Sequence, residues 1–350
     1  MNQLNVKKII QAVKSEAVYF SCETLQRYAI GFEAENGCVV IDKTGATLYT
    51  DKRYIEAAEK LLRGDAKATL YSKDEVMKRL SSYQSVGISF GETLHTEYLA
   101  LEKEGVTLVD IDESLEKVMA QKSEWELANI QTACEIAEES YLALLPQIKE
   151  GMTETEVAAL LEYEMRKRGA QGLSFATIVA FGAHAAVPHH ETGDTKLQYG
   201  DEILIDFGCK VNGYCSDITR TCLFGDDGKH EAFKKAYQAV LTAHNLVQQQ
   251  LVSGMTGKQA DAIAREYLQS QGYGEYFTHS LGHGIGLKVH EYPGVSPRSE
   301  TILQDGMVFS DEPGVYVAGE YGIRIEDTIT LKDGKVFSFM KKTDKNLIIL

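Results

Sequence analysis

Ile205-Asp206-Phe207-Gly208-Cys209-Lys210-Val211-Asn212-Gly213-Tyr214-Cys215-Ser216-Asp217-Ile218-Thr219 is the stretch that decides the fold. Asn-Gly between two apolar, β-rich runs specifies a two-residue type I′ turn, because both turn positions need positive φ. With Asn212 and Gly213 in the turn, Val211 faces Tyr214, Gly208 faces Asp217, and Asp206 faces Thr219. Residues opposite one another share a sheet face, and positions two apart return to it. Asp206 and Asp217 are therefore diagonal neighbours on one face, with Gly208 expected to leave room between them. Two carboxylates in a hairpin otherwise built from Ile203, Leu204, Ile205 and Ile218 repel each other and lose hydration. A cation or a shared proton is required.

A faint internal repeat extends the pattern. Gly151-Met152-Thr153 before a helix over 154–168 recurs as Gly254-Met255-Thr256 before a helix over 258–271. Gly200-Asp201-Glu202-Ile203-Leu204-Ile205-Asp206 recurs as Gly306-Met307-Val308-Phe309-Ser310-Asp311-Glu312, and Ser216-Asp217-Ile218-Thr219 as Ile325-Glu326-Asp327-Thr328. Glu312 thus stands where Asp206 does, and Glu326 where Asp217 does. Carboxylates falling on carboxylates at a shared offset predict two halves about a pseudo-two-fold axis, with four acids converging between them. Two divalent ions would balance four negative charges. Hard oxygens with one imidazole suit Mn²⁺, Co²⁺, Fe²⁺ or Zn²⁺. The imidazole candidate is His283, whose neighbours Gly282 and Gly284 permit close approach. Six of the nine histidines (His184, His189, His190, His279, His283 and His290) lie in two short segments of this half of the chain.

The rest of the chain frames that site. At 350 residues it is long enough for two domains. A formal net charge of −15 excludes nucleic acid and anionic membrane as main partners, since both need basic patches. No apolar run approaches the roughly 20 residues of a membrane span. The N-terminal segment reads as a short amphipathic helix near residues 4–14 without export features, and the six cysteines lack pairwise spacing. A cytoplasmic protein with reduced thiols is expected, with Cys209, Cys215 and Cys222 packing in the core. Residues 1–120 read as a small α/β domain. Its strands are expected near 17–20, 38–42, 46–50, 68–71, 85–88 and 107–109, with a helix over 54–62. Ser123-Glu124-Trp125-Glu126 is a capping box that opens a long helix, and residues 121–350 form the second domain.

Asp206, Asp217, His283 in His-Gly-Ile-Gly-Leu, His290 in Val-His-Glu-Tyr-Pro, Glu312 in Glu-Pro-Gly-Val-Tyr and Glu326 in Arg-Ile-Glu-Asp together resemble the pita-bread metallopeptidases. That group comprises aminopeptidase P, prolidase and methionine aminopeptidase, and the resemblance covers residues 125–335. Tyr28-Ala29-Ile30-Gly31-Phe32 and Tyr49-Thr50-Asp51-Lys52-Arg53-Tyr54 resemble the creatinase-like domain that precedes the catalytic one in the proline-directed members. The resemblance implies an α+β pita-bread catalytic domain after a smaller α/β domain, in a homodimer. It implies two divalent ions, Mn²⁺ foremost, held by Asp206, Asp217, His283, Glu312 and Glu326, with Asp217 and Glu326 bridging. Glu312 would also shuttle a proton, His290 would hydrogen-bond the scissile carbonyl, and His189 would line the pocket. His279 would relay protons, and Arg324 with Thr219 would orient the bridging carboxylates. His190 stands where relatives often carry Gly, and Ser310 where many carry Thr. Asp311 is expected to face away by strand alternation.

The activity implied is release of an N-terminal residue that precedes proline. The short N-terminal domain and Ser296-Pro297-Arg298-Ser299 favour aminopeptidase P, with prolidase, the Xaa-Pro dipeptidase, as the alternative. A non-catalytic binding protein on this fold should have lost ligands, and none of the five is missing. A two-metal phosphoesterase is disfavoured because Arg220 and Arg324 are the only cations near the ligand motifs.

Overall fold

The computed structural model describes residues 5–350, which fall into two compact units: one ending at Met119, the other spanning Ala120–Leu350. The first unit is built on a six-stranded sheet in the order β4-β3-β2-β1-β5-β6. Its strands are β1 (Ala17–Phe20), β2 (Cys38–Asp42), β3 (Gly45–Thr50), β4 (Ala66–Leu70), β5 (Val86–Ile88) and β6 (Leu108–Asp110). β1, β2 and β3 pair antiparallel and the remaining neighbours pair parallel. The helices are α1 (Val6–Ala12), α2 (Glu23–Ile30), α3 (Ile55–Leu61), α4 (Lys73–Leu80), α5 (His95–Lys103) and α6 (Asp112–Ala120). Residue 4, where the first helix is expected to begin, lies outside the described residues. The sequence singles out none of α2, α4, α5 or α6. Each is only two turns or so long, and α5 buries only Leu101, so little 3.6-residue periodicity exists to be read.

In the second unit α7 (Glu124–Leu144) starts at the expected capping box, Ser123 accepting from Glu126 N while Glu126 accepts from Ser123 N. The repeat appears at once. α8 (Glu154–Lys167) and α10 (Gly257–Ser270) both begin with capping boxes, Thr153 with Glu156 and Thr256 with Gln259. Between them come β7 (Gly172–Leu173), β8 (Ile178–Phe181), β9 (Glu202–Phe207), β10 (Cys209–Val211), β11 (Tyr214–Cys215), β12 (Ile218–Leu223) and α9 (Glu231–Gln250). The later strands are β13 (Gly282–Gly284), β14 (Glu291–Val295), β15 (Val308–Asp311), β16 (Gly314–Val317), β17 (Tyr321–Arg324), β18 (Asp327–Lys332) and β19 (Lys335–Ser338). One half carries the sheet β12-β9-β8 and the other β14-β13-β15-β18-β19. The antiparallel pair β9–β12 therefore matches β15–β18, as the repeat demands. Threonine side chains and backbone join the halves: Glu326 N donates to Thr219 O at 3.1 Å, and the Thr328 hydroxyl donates to Asp217 O at 2.7 Å.

The hairpin has the expected register. Asn212 and Gly213 adopt φ of 49° and 86°, Val211 pairs with Tyr214, and Asp206 pairs with Thr219. Gly208 has a different purpose from the one expected. A Cβ there would lie 2.0 Å from Ser216 O and 3.0 Å from Ser174 Oγ, so glycine permits close backbone approach rather than spacing the carboxylates. Cys209, Cys215 and Cys222 are buried and unbonded to one another. Among the described residues no helix is long and apolar enough to cross a membrane.

Candidate metal centre

Asp206 near the end of β9, Asp217 just before β12, His283 in β13, Glu312 just after β15 and Glu326 just before β18 all line one cavity of about 830 Å³. His283 sits among the acids, its Nε2 3.3 Å from Glu312 Oε1 and 3.6 Å from Asp217 Oδ2. Donor atoms of Asp217, His283 and Glu326 lie within 4.8 Å of one another. Burial, then the neighbouring acids, pushes the Asp217 and Glu326 carboxyls well above the usual carboxylate range. Burial likewise raises Glu312 to about 7 despite the Arg324 guanidinium, and lowers the His283 imidazole. Asp206 Oδ1 is buried without a hydrogen-bond partner. An orphaned carboxylate oxygen, four mutually repelling acids and one imidazole form a donor set that fits two divalent ions.

Three hydroxyls and one guanidinium orient these groups. Arg324 donates from Nη2 to Asp206 Oδ2 at 2.6 Å, from Nε to Thr219 Oγ1 at 2.9 Å and from Nη1 to the Tyr316 hydroxyl at 2.7 Å. Arg324 thus grips Asp206 directly and reaches Glu326, one of the acids it is expected to orient, through Thr219. Thr219 and Asp206 are register partners on β12 and β9, so a guanidinium that reaches one spans both. Thr219 does reach Glu326, donating to Oε2 at 2.6 Å. Ser310, standing where many relatives carry Thr, uses its hydroxyl to donate to Glu312 Oε1 at 2.9 Å and to accept from His283 N at 3.0 Å.

His189, His279 and His290 line the same cavity. The His290 ring lies edge-on to His283 with centroids 4.0 Å apart, and burial, then His283, lowers its pKa to about 4. His279 is lowered to about 3, by burial and then Arg324. Its Nδ1 lies 2.8 Å from Ser280 O, so that nitrogen carries the proton and Nε2, 2.9 Å away, accepts from the Tyr316 hydroxyl. Tyr316 therefore links His279 to Arg324. Sequence reading missed this residue, although it closes the Glu-Pro-Gly-Val-Tyr motif. Asp311 faces away from the cavity as alternation requires, towards His244 and Gln248. His190 lines the cavity and bonds Glu154, a contact no sequence pattern announced.

Residues 128–333 match metallopeptidase family M24, and residues 4–118 match the creatinase/prolidase N-terminal domain. The chain belongs to that family and is a metallopeptidase with the pita-bread fold. Over 99% of both chains it is 37% identical to an Xaa-Pro dipeptidase of Pyrococcus horikoshii. The solved structure of an Xaa-Pro dipeptidase from Bacillus anthracis superposes with a TM-score of 0.93 at 35% identity, covering 99% of this chain and 98% of that one. An X-Pro aminopeptidase from Thermotoga maritima gives 0.91 at 33% identity over 98% and 100%.

Proposed function

We propose that the protein is an Xaa-Pro dipeptidase that uses two divalent ions, Mn²⁺ foremost, held by Asp206, Asp217, His283, Glu312 and Glu326. The observation that carries this reading is the convergence of those five donors on one cavity, in a chain matching Xaa-Pro dipeptidases over almost their full length. The preference for aminopeptidase P, drawn from the N-terminal domain and residues 296–299, gives way to prolidase because the named dipeptidases support the alternative more strongly. Residues 121–350 carry the chemistry and 1–120 form the accessory domain, in a cytoplasmic homodimer.

Bound ions supply Lewis acidity towards the scissile carbonyl and lower the pKa of the attacking water. Arg324 and Thr219 fix the Asp206 and Glu326 carboxylates, and Ser310 fixes Glu312. Glu312, held by Ser310 at the edge of the acid cage, is placed to take a proton and return it to the prolyl nitrogen as the bond breaks. His290, neutral at pH 7, donates its N–H to the carbonyl oxygen as charge develops there. His189 contacts the substrate from the cavity wall, and Tyr316 ties His279 to Arg324 so that the ring is held beside Glu312.

The test compares an Xaa-Pro dipeptide with an Xaa-Pro oligopeptide, with Mn²⁺ and after chelation. The dipeptide should be the better substrate, with activity lost on chelation. A preference for the oligopeptide restores the aminopeptidase reading, and cleavage of neither by loaded protein overturns both.

A further inference from the structure

We infer that Glu154, His184 and His190 form a separate zinc-type site in the wall of the substrate cavity, beyond the two ions of the acid cage. Glu154 is the first residue of α8 and its side chain is fully buried. His184 Nδ1 lies 2.9 Å from Glu154 Oε1, and His190 Nε2 lies 2.9 Å from Oε2. Donor atoms of all three lie within 4.8 Å of one another, and the imidazole centroids are 4.6 Å apart.

The carboxylate is held as a ligand would be. Phe181 N donates to Oε1 at 3.1 Å and Gly193 N to Oε2 at 3.0 Å, so its orientation is set from behind. Four hydrogen bonds hold the carboxylate ionised, but none of them comes from a permanently charged group. Among the described residues no lysine or arginine pairs with Glu154, and the α8 N-terminus offsets a buried anion only in part. A divalent ion between the carboxylate and the imidazoles would put a full positive charge beside this buried anion.

Two imidazoles and one carboxylate are a donor set that zinc accepts with a fourth position left open. The His184 side chain is 45% exposed, which gives an ion entry and leaves room for a water ligand. Because His184 faces Oε1 and His190 faces Oε2, the ion would sit between both carboxylate oxygens, and zinc bonds of roughly 2.0–2.2 Å open each 2.9 Å contact by a few tenths of an ångström. The proton that each imidazole directs at Glu154 moves to its other ring nitrogen, leaving His184 Nδ1 and His190 Nε2 free to bind. Of the three residues only His190 lines the cavity, so an ion here would fix that ring against the substrate space.

The test counts zinc by elemental analysis after metal-free protein is loaded with Zn²⁺ and passed through a desalting column. The parent should hold three ions per chain, and His184→Asn and His190→Gln two each, with unchanged circular dichroism. Asp217→Asn separates this site from the acid cage: it should keep one ion, which His184→Asn in the same background removes. An Asp217→Asn protein that keeps three, losing one on His184→Asn, refutes the acid-cage reading and upholds this one. Equal zinc content in the parent and in both folded histidine variants overturns the inference, as does an Asp217→Asn protein that holds none.

Discussion

Thr219 ties Arg324 to Glu326 in the proposed metal centre, and Thr219→Val tests that link almost without change of shape. The hydroxyl is fully buried, accepts from Arg324 Nε at 2.9 Å and donates to Glu326 Oε2 at 2.6 Å. Valine removes both bonds and leaves a guanidinium N–H and a carboxylate oxygen unsatisfied. Bonds to charged groups contribute about 1.5–3 kcal/mol each, so the metal-free protein should lose about 3 kcal/mol or more in urea unfolding. Removing the outer partner of a ligand lowers metal affinity by about 10- to 100-fold. The bond from Thr219 also lowers the Glu326 pKa, in opposition to burial and the neighbouring acids. Without it Glu326 keeps its proton to higher pH, and the pH at which half the metal is retained should move upward. Thr219→Ser keeps the hydroxyl and should cost only about 1 kcal/mol for the lost methyl, with metal affinity intact. The assay is chelator competition for Mn²⁺ across pH, paired with urea midpoints. A valine variant that matches the parent in Mn²⁺ affinity within twofold, at the same pH midpoint, would refute the reasoning.

Further outcomes follow from the same geometry. Asp217→Asn should lose the Mn²⁺ of the acid cage while the fold persists, and normal Mn²⁺ content would show the ligand to be misassigned. Glu312, raised to about 7, binds a proton more tightly folded than unfolded, where the ordinary value is about 4.3. Relative to Mn²⁺-loaded protein, the metal-free protein should therefore lose stability as pH rises from about 4 through 7, which urea midpoints with and without chelator will show. His290→Gln should lower kcat by about 10²- to 10³-fold with KM little changed, as for a lost oxyanion donor, and a pure KM effect in steady-state kinetics would refute that role. Gly208→Ala places a methyl 2.0 Å from Ser216 O and should destabilise by about 3 kcal/mol, so an unchanged urea midpoint would contradict the hairpin register.

The parts legible in the sequence were those written in local chemistry. Asn212-Gly213 specifies its own turn, and the turn fixes every pairing back to Asp206 and Thr219, so two ligands could be put on one face from one dipeptide. Ser123, Thr153 and Thr256 announce helix starts because a cap and its partner lie three residues apart. What escaped depends on partners far apart in the chain. Tyr316 matters because it meets both His279 and Arg324, and Glu154 because it meets residues 30 and 36 positions on. Arg324 was recognised, but its direct grip on Asp206 was not. Sequence alignment of the two halves says which acids correspond, but not which one a side chain from β17 reaches.

The repeat also has an asymmetry that bears on how the acid cage tolerates its charge. Behind Asp206 and Asp217 in the first half stand Ile205 and Ile218, buried and apolar. The corresponding residues behind Glu312 and Glu326 are Asp311 and Asp327, directly opposite one another on β15 and β18. Like charges so placed destabilise a sheet unless cations intervene. Here Arg220 and Lys345 reach Asp327 at 2.9 and 3.0 Å, and Gln248 donates to Asp311 at 2.7 Å. Burial raises Asp311 to about 6, whereas Arg220 and His244 overcome burial and hold Asp327 well below the usual range. The second half is therefore backed by a set of charges that fixes β15 against β18, and the first by hydrophobic packing alone. Equal ligand positions in the two halves rest on unequal foundations. Arg324, on the second half, gripping Asp206 on the first, joins Thr219 bonded to Glu326 in tying them into one site.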